Sequence, residues 1–341
     1  MQELSWALLC KLAPDQVEEI SRRAILMDRI DAREPMGRRA AAQLLGISER
    51  EVRAAADALR AQGLIAYSPS GMALTKAGKE LIGETRRLCR MVTDLGVLER
   101  DLTKYLGLKH VIVVSGDADD TQEVLKDVGR AAAHRLREMV RPNMVLAIAG
   151  GSTMAEIARA MSPCAANIMV VPARGGMGSA LSTQADTVAS ELAEHMNAEC
   201  RLIHIPDGLS ITALREVLKM ADISETMRLM RNADIILLGI GRADAMAKRR
   251  GLESAQLSTL LGMGAVGESL GDFFDIEGRT VYQSPSVSAE LQTHRPGSYM
   301  IAAAAGRSKG EAILASVRHN PPDSLILDEG AARSVLAALH S

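Results

Sequence analysis

The sequence predicts an N-terminal winged helix-turn-helix followed by a larger α/β domain on a parallel sheet. Three observations lead there. Residues 18–78 hold three short helical patterns and a hairpin, with a capping-box signature before the third helix. Residues 107–341 alternate continuous apolar runs with amphipathic helical stretches, the pattern of strands covered on both faces. The basic excess is confined to the first part. Residues 22–60 carry nine Arg against six Asp/Glu, whereas residues 107–341 carry 23 basic and 27 acidic groups and the net charge is −2.

The bulk composition narrows the function classes. A chain of 341 residues is about two domains in length, and 47% apolar residues supply a sizeable core. The few aromatic residues (one Trp, four Tyr, two Phe) are scattered, which excludes the ring platforms that stack single-stranded bases. Cys10, Cys89, Cys164 and Cys200 lie far apart with no metal-ligand spacing, as expected of idle thiols in a reducing compartment. No apolar run is long enough to span a bilayer and no secretory pattern opens the chain, so a soluble cytoplasmic protein is expected.

In residues 18–30, Ile20, Ala24, Met27 and Ile30 fall on one helical face. Glu34-Pro35-Met36-Gly37 breaks that helix, and a short one follows that ends at Gly46. Ser48 and Glu51 have capping-box spacing for a third helix over 49–62. That helix buries Val52, Ala56 and Leu59 and turns Arg50, Arg53 and Arg60 outward. Residues 64–67 and 72–75 flank Ser-Pro-Ser-Gly as a strand-turn-strand wing. A helix after a tight turn, with arginines near its start, suits major-groove reading of double-stranded operator DNA. The candidate DNA contacts are Arg38, Arg39, Ser48, Arg50 and Arg53. A small interaction domain would share the three helices and hairpin; the turn, cap, arginines and wing in this order favour DNA.

Between the two parts, residues 79–106 repeat Leu81, Leu88, Leu95 and Leu102 every seven positions. Such heptads predict a helix that packs on another, plausible as a homodimer or homotetramer seam, although Gly96 and Glu84 interrupt the stripe. A helix lying on its own domain is the alternative. The boundaries read as 1–78, 79–106 and 107–341.

In the second part the predicted strands are 111–114, 145–149, 168–172, 202–205, 235–238, 300–304 and 324–327, with helices at 121–140, 153–161, 184–197, 308–318 and 329–339 among those between. Several strands end in glycine with a polar or basic companion: Gly150-Gly151-Ser152-Thr153, Arg174-Gly175-Gly176, Gly239-Ile240-Gly241-Arg242 and Gly306-Arg307-Ser308-Lys309-Gly310. Ligands of open parallel sheets sit at the strands' carboxyl ends, where amides, hydroxyls and helix N-termini bind oxyanions. Each turn alone fits an ordinary strand-to-helix connection; four together point to a phosphorylated small molecule. No cofactor and no metal site is expected.

The stretch GRRAAAQLLGISEREVRAAADALRAQGLI, with SGMALTKAGKELI, GGSTMAEIA, VPARGGMG, GIGRADAMAKRR, AAGRSKGEAI and DEGAA, resembles the SorC/DeoR-type repressors of the central glycolytic genes regulator family. The resemblance covers almost the whole chain in order. It implies an effector domain like sugar-phosphate isomerases and deaminases but without catalysis, release of DNA by fructose 1,6-bisphosphate, and an oligomer on the operator. By motif it also implies the effector contacts: Gly151, Ser152, Thr153, Arg174, Gln184, Arg249, Glu268 and Lys309. The family favours threonine where Ser152 stands and an acidic residue where Ser179 stands. An active isomerase or deaminase, with Glu268 or Asp272 as base, and a regulator answering to a pentose or polyol phosphate are the alternatives.

Overall fold

Helix α1 (Pro14–Arg33) starts on a proline, whose missing N–H costs nothing there, and buries Ala24, Leu26, Met27 and Ile30. Ile20, expected on this face, is 44% exposed, and the fully buried Leu26 fills the stripe instead. The computed structural model describes residues 11–92, 94–164, 167–176, 180–205, 209–284 and 297–340. Two compact units divide between Val97 and Leu98, inside the 79–106 connector.

In the first unit, α2 (Arg38–Leu45) ends at Gly46, and α3 (Glu49–Ala61) opens with the expected capping box. The Ser48 hydroxyl accepts from the Glu51 amide at 3.3 Å, and the Glu51 carboxylate accepts from the Ser48 amide at 2.9 Å. Val52, Ala55, Ala56 and Leu59 are buried against α1 and the wing. Strands β1 (Ile65–Ser68) and β2 (Gly71–Leu74) pair antiparallel and close from Ser68 to Gly71. The break after α1 adds to the wing, because Met36 and Met72 exchange both backbone hydrogen bonds, at 2.9 and 2.8 Å. Burying side chains of this size, Met36 and Met72 included, contributes roughly 1.5–3 kcal/mol each. Helix α4 (Lys76–Val92) completes the unit.

The heptad leucines do not share one environment. Leu81 on α4 is 43% exposed, whereas Leu102 on α5 (Asp94–Leu106) is fully buried and Leu98 is 5% exposed. In the same helix the Glu99 carboxylate accepts from the Val113 amide at 2.9 Å. The carboxyl-terminal half of the stripe is therefore used by its own unit, the alternative weighed above. Thr93, between the two helices, lies outside the described residues.

The second unit is built on a seven-stranded parallel sheet of order β3-β13-β12-β7-β4-β5-β6. Its strands are β3 (His110–Val114), β4 (Val145–Ile148), β5 (Met169–Pro172), β6 (Glu199–Cys200), β7 (Ile235–Gly239), β12 (Tyr299–Ala304) and β13 (Ser324–Asp328). Between them run α6 (Gln122–Met139), α7 (Ser152–Ala160), α8 (Ala185–Met196), α9 (Ile211–Val217), α10 (Ala221–Arg231), α11 (Ala243–Arg249), α12 (Ser254–Gly262), α13 (Gly310–His319) and α14 (Glu329–Leu339). The central strands are buried along their length, which is why they read as unbroken apolar runs. The chain steps from β4 outward to β6, then returns with β7 on the other side of β4. That reversal opens a crevice at the carboxyl ends of β4 and β7.

Two readings of the sequence are corrected. Residues 202–205 form no strand; β6 ends at Cys200. The amides of Ile203 and His204 donate to the Asp186 carboxylate, at 3.1 and 3.0 Å, and His204 adopts φ +47°, so the apolar run is spent against α8. The sequence also hid a second, antiparallel sheet of order β11-β10-β9-β8. Its strands β8 (Gly241–Arg242), β9 (Gly267–Ser269), β10 (Asp272–Phe274) and β11 (Thr280–Gln283) are two to four residues long. Two of them carry the buried carboxylates Glu268 and Asp272, and neither length nor polarity signals a strand. Among the described residues no helix is long and apolar enough to cross a membrane.

Candidate functional site

Beyond β4 the chain turns through Gly150 and Gly151 into α7. Gly151, at φ +121°, donates its N–H to the Thr183 carbonyl at 2.9 Å and leaves α7 without a side-chain cap. Among the described residues nothing accepts from the amides of Ser152 and Thr153, so the positive end of the helix faces the crevice. Thr183 closes a 3-10 turn, Leu181–Thr183, after which Gln184 stands at the start of α8. A cavity of about 300 Å³ lies here, at the carboxyl ends of β4, β5 and β7.

All eight residues expected to contact the effector line that cavity: Gly151, Ser152, Thr153, Arg174, Gln184, Arg249, Glu268 and Lys309. They come from six separate places in the chain. Arg174, 5% exposed, follows β5; Arg249 ends α11 and donates to the Thr183 hydroxyl. Burial, then the Arg174 charge, holds Arg249 below the ordinary arginine range, with Glu268 opposing. Burial likewise lowers Lys309, against the pull of Asp328 and Asp119. Both shifts report cations drawn out of water, and an anion in the cavity would relieve them. Glu268 is 2% exposed. One of its oxygens, Oε1, accepts from Arg250 and from the Gly271 amide, each at 2.7 Å, and lies 3.9 Å from Arg174.

The glycine turns are not equivalent. Three consecutive amides of the Gly306 turn already hold carboxylates of the protein: Gly306 donates to Asp328 at 2.8 Å, Arg307 to Asp117 at 3.2 Å and Ser308 to Asp119 at 2.8 Å. The Arg307 guanidinium is paired with Asp120 and Asp117. Only Ser308 and Lys309 of this turn reach the cavity. The Gly239–Arg242 turn becomes β8, and Arg242 is bound at 2.8 Å to Asp244. Ser179 lies in 177–179, outside the described residues. Sequence reasoning passed over Thr183 and Leu270, which line the cavity, and Arg250, which holds Glu268; of these only Arg250 left a signal, as the second arginine of an adjacent pair.

In the first unit Arg38 and Arg39 are exposed on the opening turn of α2, and Arg50 and Arg53 are exposed on α3. Ser48 is exposed, but its hydroxyl also donates to Glu51 at 2.8 Å, so its hydrogen bonds serve the cap. Arg60 lies 5.3 Å over the Tyr67 ring, and the Tyr67 hydroxyl donates to Asp57, which ties α3 to the wing. Cys200 is pushed up to about 11 by burial and by Asp186, which leaves it an unreactive thiol. Among the described residues no group of three or more His, Cys, Asp or Glu could hold a metal.

Residues 91–337 match the family described as "Putative sugar-binding domain", and residues 20–89 match the CggR N-terminal DNA binding domain. Over 329 residues, 96% of each chain, the sequence is 35% identical to the central glycolytic genes regulator of Priestia megaterium. The chain belongs to the central glycolytic genes regulator family. The central glycolytic genes regulator of Bacillus subtilis is 34% identical over 328 residues, again 96% of each chain. A SorC family transcriptional regulator from Enterococcus faecalis superposes with TM-score 0.65 at 34% identity, over 70% of this chain and 99% of that one. The full-length sorbitol operon regulator SorC from Klebsiella pneumoniae shares the fold alone, with TM-score 0.64 at 19% identity over 89% of this chain and 94% of that one. Membership in this regulator family makes the protein a sugar-responsive, DNA-binding transcription regulator, with the winged helix-turn-helix as its DNA-binding domain and the α/β unit as its sugar-binding domain.

Proposed function

We propose that the protein is a cytoplasmic repressor of glycolytic genes, released from double-stranded operator DNA by a sugar phosphate, most specifically fructose 1,6-bisphosphate. The supporting observation is the composition of one cavity: the open helix end at Ser152, four cations (Arg174, Arg249, Lys309 and Arg242, the last paired with Asp244) and the buried acceptor Glu268. Amides and cations suit phosphate, and a single carboxylate among them suits sugar hydroxyls. The relatives named for glycolytic genes support the regulated target.

A regulatory rather than enzymatic role fits the arrangement. Of the two carboxylates considered as a base, Asp272 does not line the cavity; it accepts from Gln283 at 3.0 Å and faces His319 at 3.5 Å. Glu268 is held as an acceptor by Arg250 and the Gly271 amide. The domains read as 1–78 for DNA, 107–341 for effector, and 79–106 as a connector; the exposed Leu81 and Val97 leave part of it for a second copy in a homodimer or homotetramer.

The test is a thermal-shift panel of glycolytic and pentose phosphates, in which fructose 1,6-bisphosphate should raise the melting temperature most. Arg174→Ala should remove that shift and leave operator binding in place. Arg53→Ala should weaken operator binding about tenfold or more and leave the shift unchanged. Operator must weaken sugar binding by the factor with which sugar weakens operator binding. A pentose phosphate giving the largest shift would replace the hexose; turnover of fructose 6-phosphate would replace the repressor.

A further inference from the structure

Arg249 and Arg250 are consecutive at the end of α11, and successive helical residues point about 100° apart. Arg249 lines the cavity; Arg250 does not. The Arg250 side chain is 4% exposed and sits behind Glu268. Its Nη2 donates to Glu268 Oε1 at 2.7 Å, its Nη1 donates to the Ser284 hydroxyl at 3.2 Å, and its guanidinium lies 5.9 Å over the Phe273 ring. Three neighbours therefore fix the fork in place.

Two cations lie within 4.0 Å of Glu268 among the described residues, and they compete for the same oxygen. Arg250 holds Oε1 at hydrogen-bond distance, while Arg174 stands off at 3.9 Å. No described residue donates to the other oxygen, Oε2. We propose that Arg250 is the positioning residue for sugar recognition. It anchors the Glu268 carboxylate from behind through Oε1, keeps it from closing on Arg174, and so leaves Oε2 for a sugar hydroxyl. This rests on the sugar-phosphate reading of the cavity.

The physical argument is a choice of partner. A buried carboxylate pairs with the nearest cation, because leaving it uncompensated is costly. Without Arg250 the remaining cation within reach is Arg174. An Arg174–Glu268 pair would turn the hydroxyl acceptor away from the place where it meets the sugar. Lysine at 250 would supply charge to one partner but could not span Glu268 and Ser284 as the planar fork does.

The experiment uses the full chain and two probes with similar phosphate spacing: fructose 1,6-bisphosphate, and 1,6-hexanediol bisphosphate, which lacks the hydroxyls. Affinities are measured by calorimetry for wild type, Arg250→Met, Arg250→Lys, Glu268→Gln and the Arg250→Met/Glu268→Gln double variant. Wild type should prefer the sugar by about tenfold or more, the size of a lost charge-assisted hydrogen bond. Arg250→Met should lose that preference as Glu268→Gln does, the double variant should lose no more than either single one, and Arg250→Lys should fall between. If Arg250→Met lowers the melting temperature but keeps the wild-type ratio between probes, or if the two losses add, the residue is merely structural and the proposal is overturned. A variant too unstable to measure passes the decision to Arg250→Lys, whose wild-type ratio would overturn it equally. A wild-type protein that binds neither probe sinks the reading of the cavity, and this proposal with it.

Discussion

Two glycine turns of this protein look alike in sequence and do opposite things. Gly150-Gly151-Ser152-Thr153 and Gly306-Arg307-Ser308-Lys309 each follow a central strand, offer backbone amides and a hydroxyl, and open a helical turn. At the first, the amides of Ser152 and Thr153 have no acceptor among the described residues and face the cavity. At the second, three amides are filled by Asp328, Asp117 and Asp119, carboxylates carried on β13 and on the 115–121 loop. An anion nest is therefore not yet an anion site. What decides is whether the protein brings its own anion, and here it does so at one turn and withholds it at the other. On the proposed reading the first turn is kept for a ligand, while the second is a structural joint that delivers Ser308 and Lys309 to the cavity.

That contrast can be broken by experiment, beginning with the joint. Asp328 is fully buried and accepts from the amides of Ala118, Gly306 and Ala331 at 2.7, 2.8 and 2.9 Å. Asp328→Ala should lower the unfolding free energy by about 3 kcal/mol or more, read from urea melts. A loss under about 1 kcal/mol would mean that the nest does not hold the fold together.

The glycines themselves come next. A Cβ on Gly306 would stand 2.5 Å from Asp119 Oδ1, at φ +102°, whereas a Cβ on Gly151 would meet nothing within 4 Å, at φ +121°. Gly306→Ala should cost about 2 kcal/mol in stability, and Gly151→Ala about half that, from backbone strain alone. The order should invert for sugar-phosphate affinity, since only Gly151 shapes the ligand's side. Equal effects on both readouts would erase the distinction between the turns.

Lys309 tests the one cation of the joint that reaches the cavity. Lys309→Met should weaken sugar-phosphate binding about tenfold while leaving the free protein as stable or more so. The sign follows from its lowered pKa: the unfolded chain binds the proton more readily, so wild-type stability rises with pH up to the ordinary lysine value of 10.5. Melts from neutral pH to that limit should show the rise in wild type and not in the variant. The smallest effects separate the two hydroxyls. Ser152→Ala should cost about fivefold in affinity and Ser308→Ala less than twofold, by titration.

How much of this was legible beforehand varies with how local its cause is. The capping box at Ser48 and Glu51, the helix stop at Gly46 and the wing turn at 68–71 are settled within a few residues, and the structure reproduces them. The central strands were legible because burial on both faces demands unbroken apolar runs. Residues 202–205 had such a run but no strand, because Asp186 on α8 claimed the amides. The short sheet β8–β11 was illegible, since its strands are held by neighbours rather than by their own composition. The heptad stripe misled in part: the Leu102 end lies in its own unit's core while Leu81 stays exposed, and spacing does not say which helix a stripe will meet.

The sequence by itself determined the order of domains, the helix-turn-helix and its arginines, the seven-stranded architecture in outline, and the residues that resemblance assigned to a sugar phosphate. Those follow from interactions within a turn or a strand, or from motifs in fixed order. The tertiary structure decided which glycine turn stays open, which of Arg249 and Arg250 faces the cavity, and that eight residues from six stretches of chain meet around about 300 Å³. The reason is one of range. Capping and periodicity act over a few residues, but whether an amide or a carboxylate is already satisfied depends on partners brought from up to about two hundred positions away, as Asp119 is to Ser308.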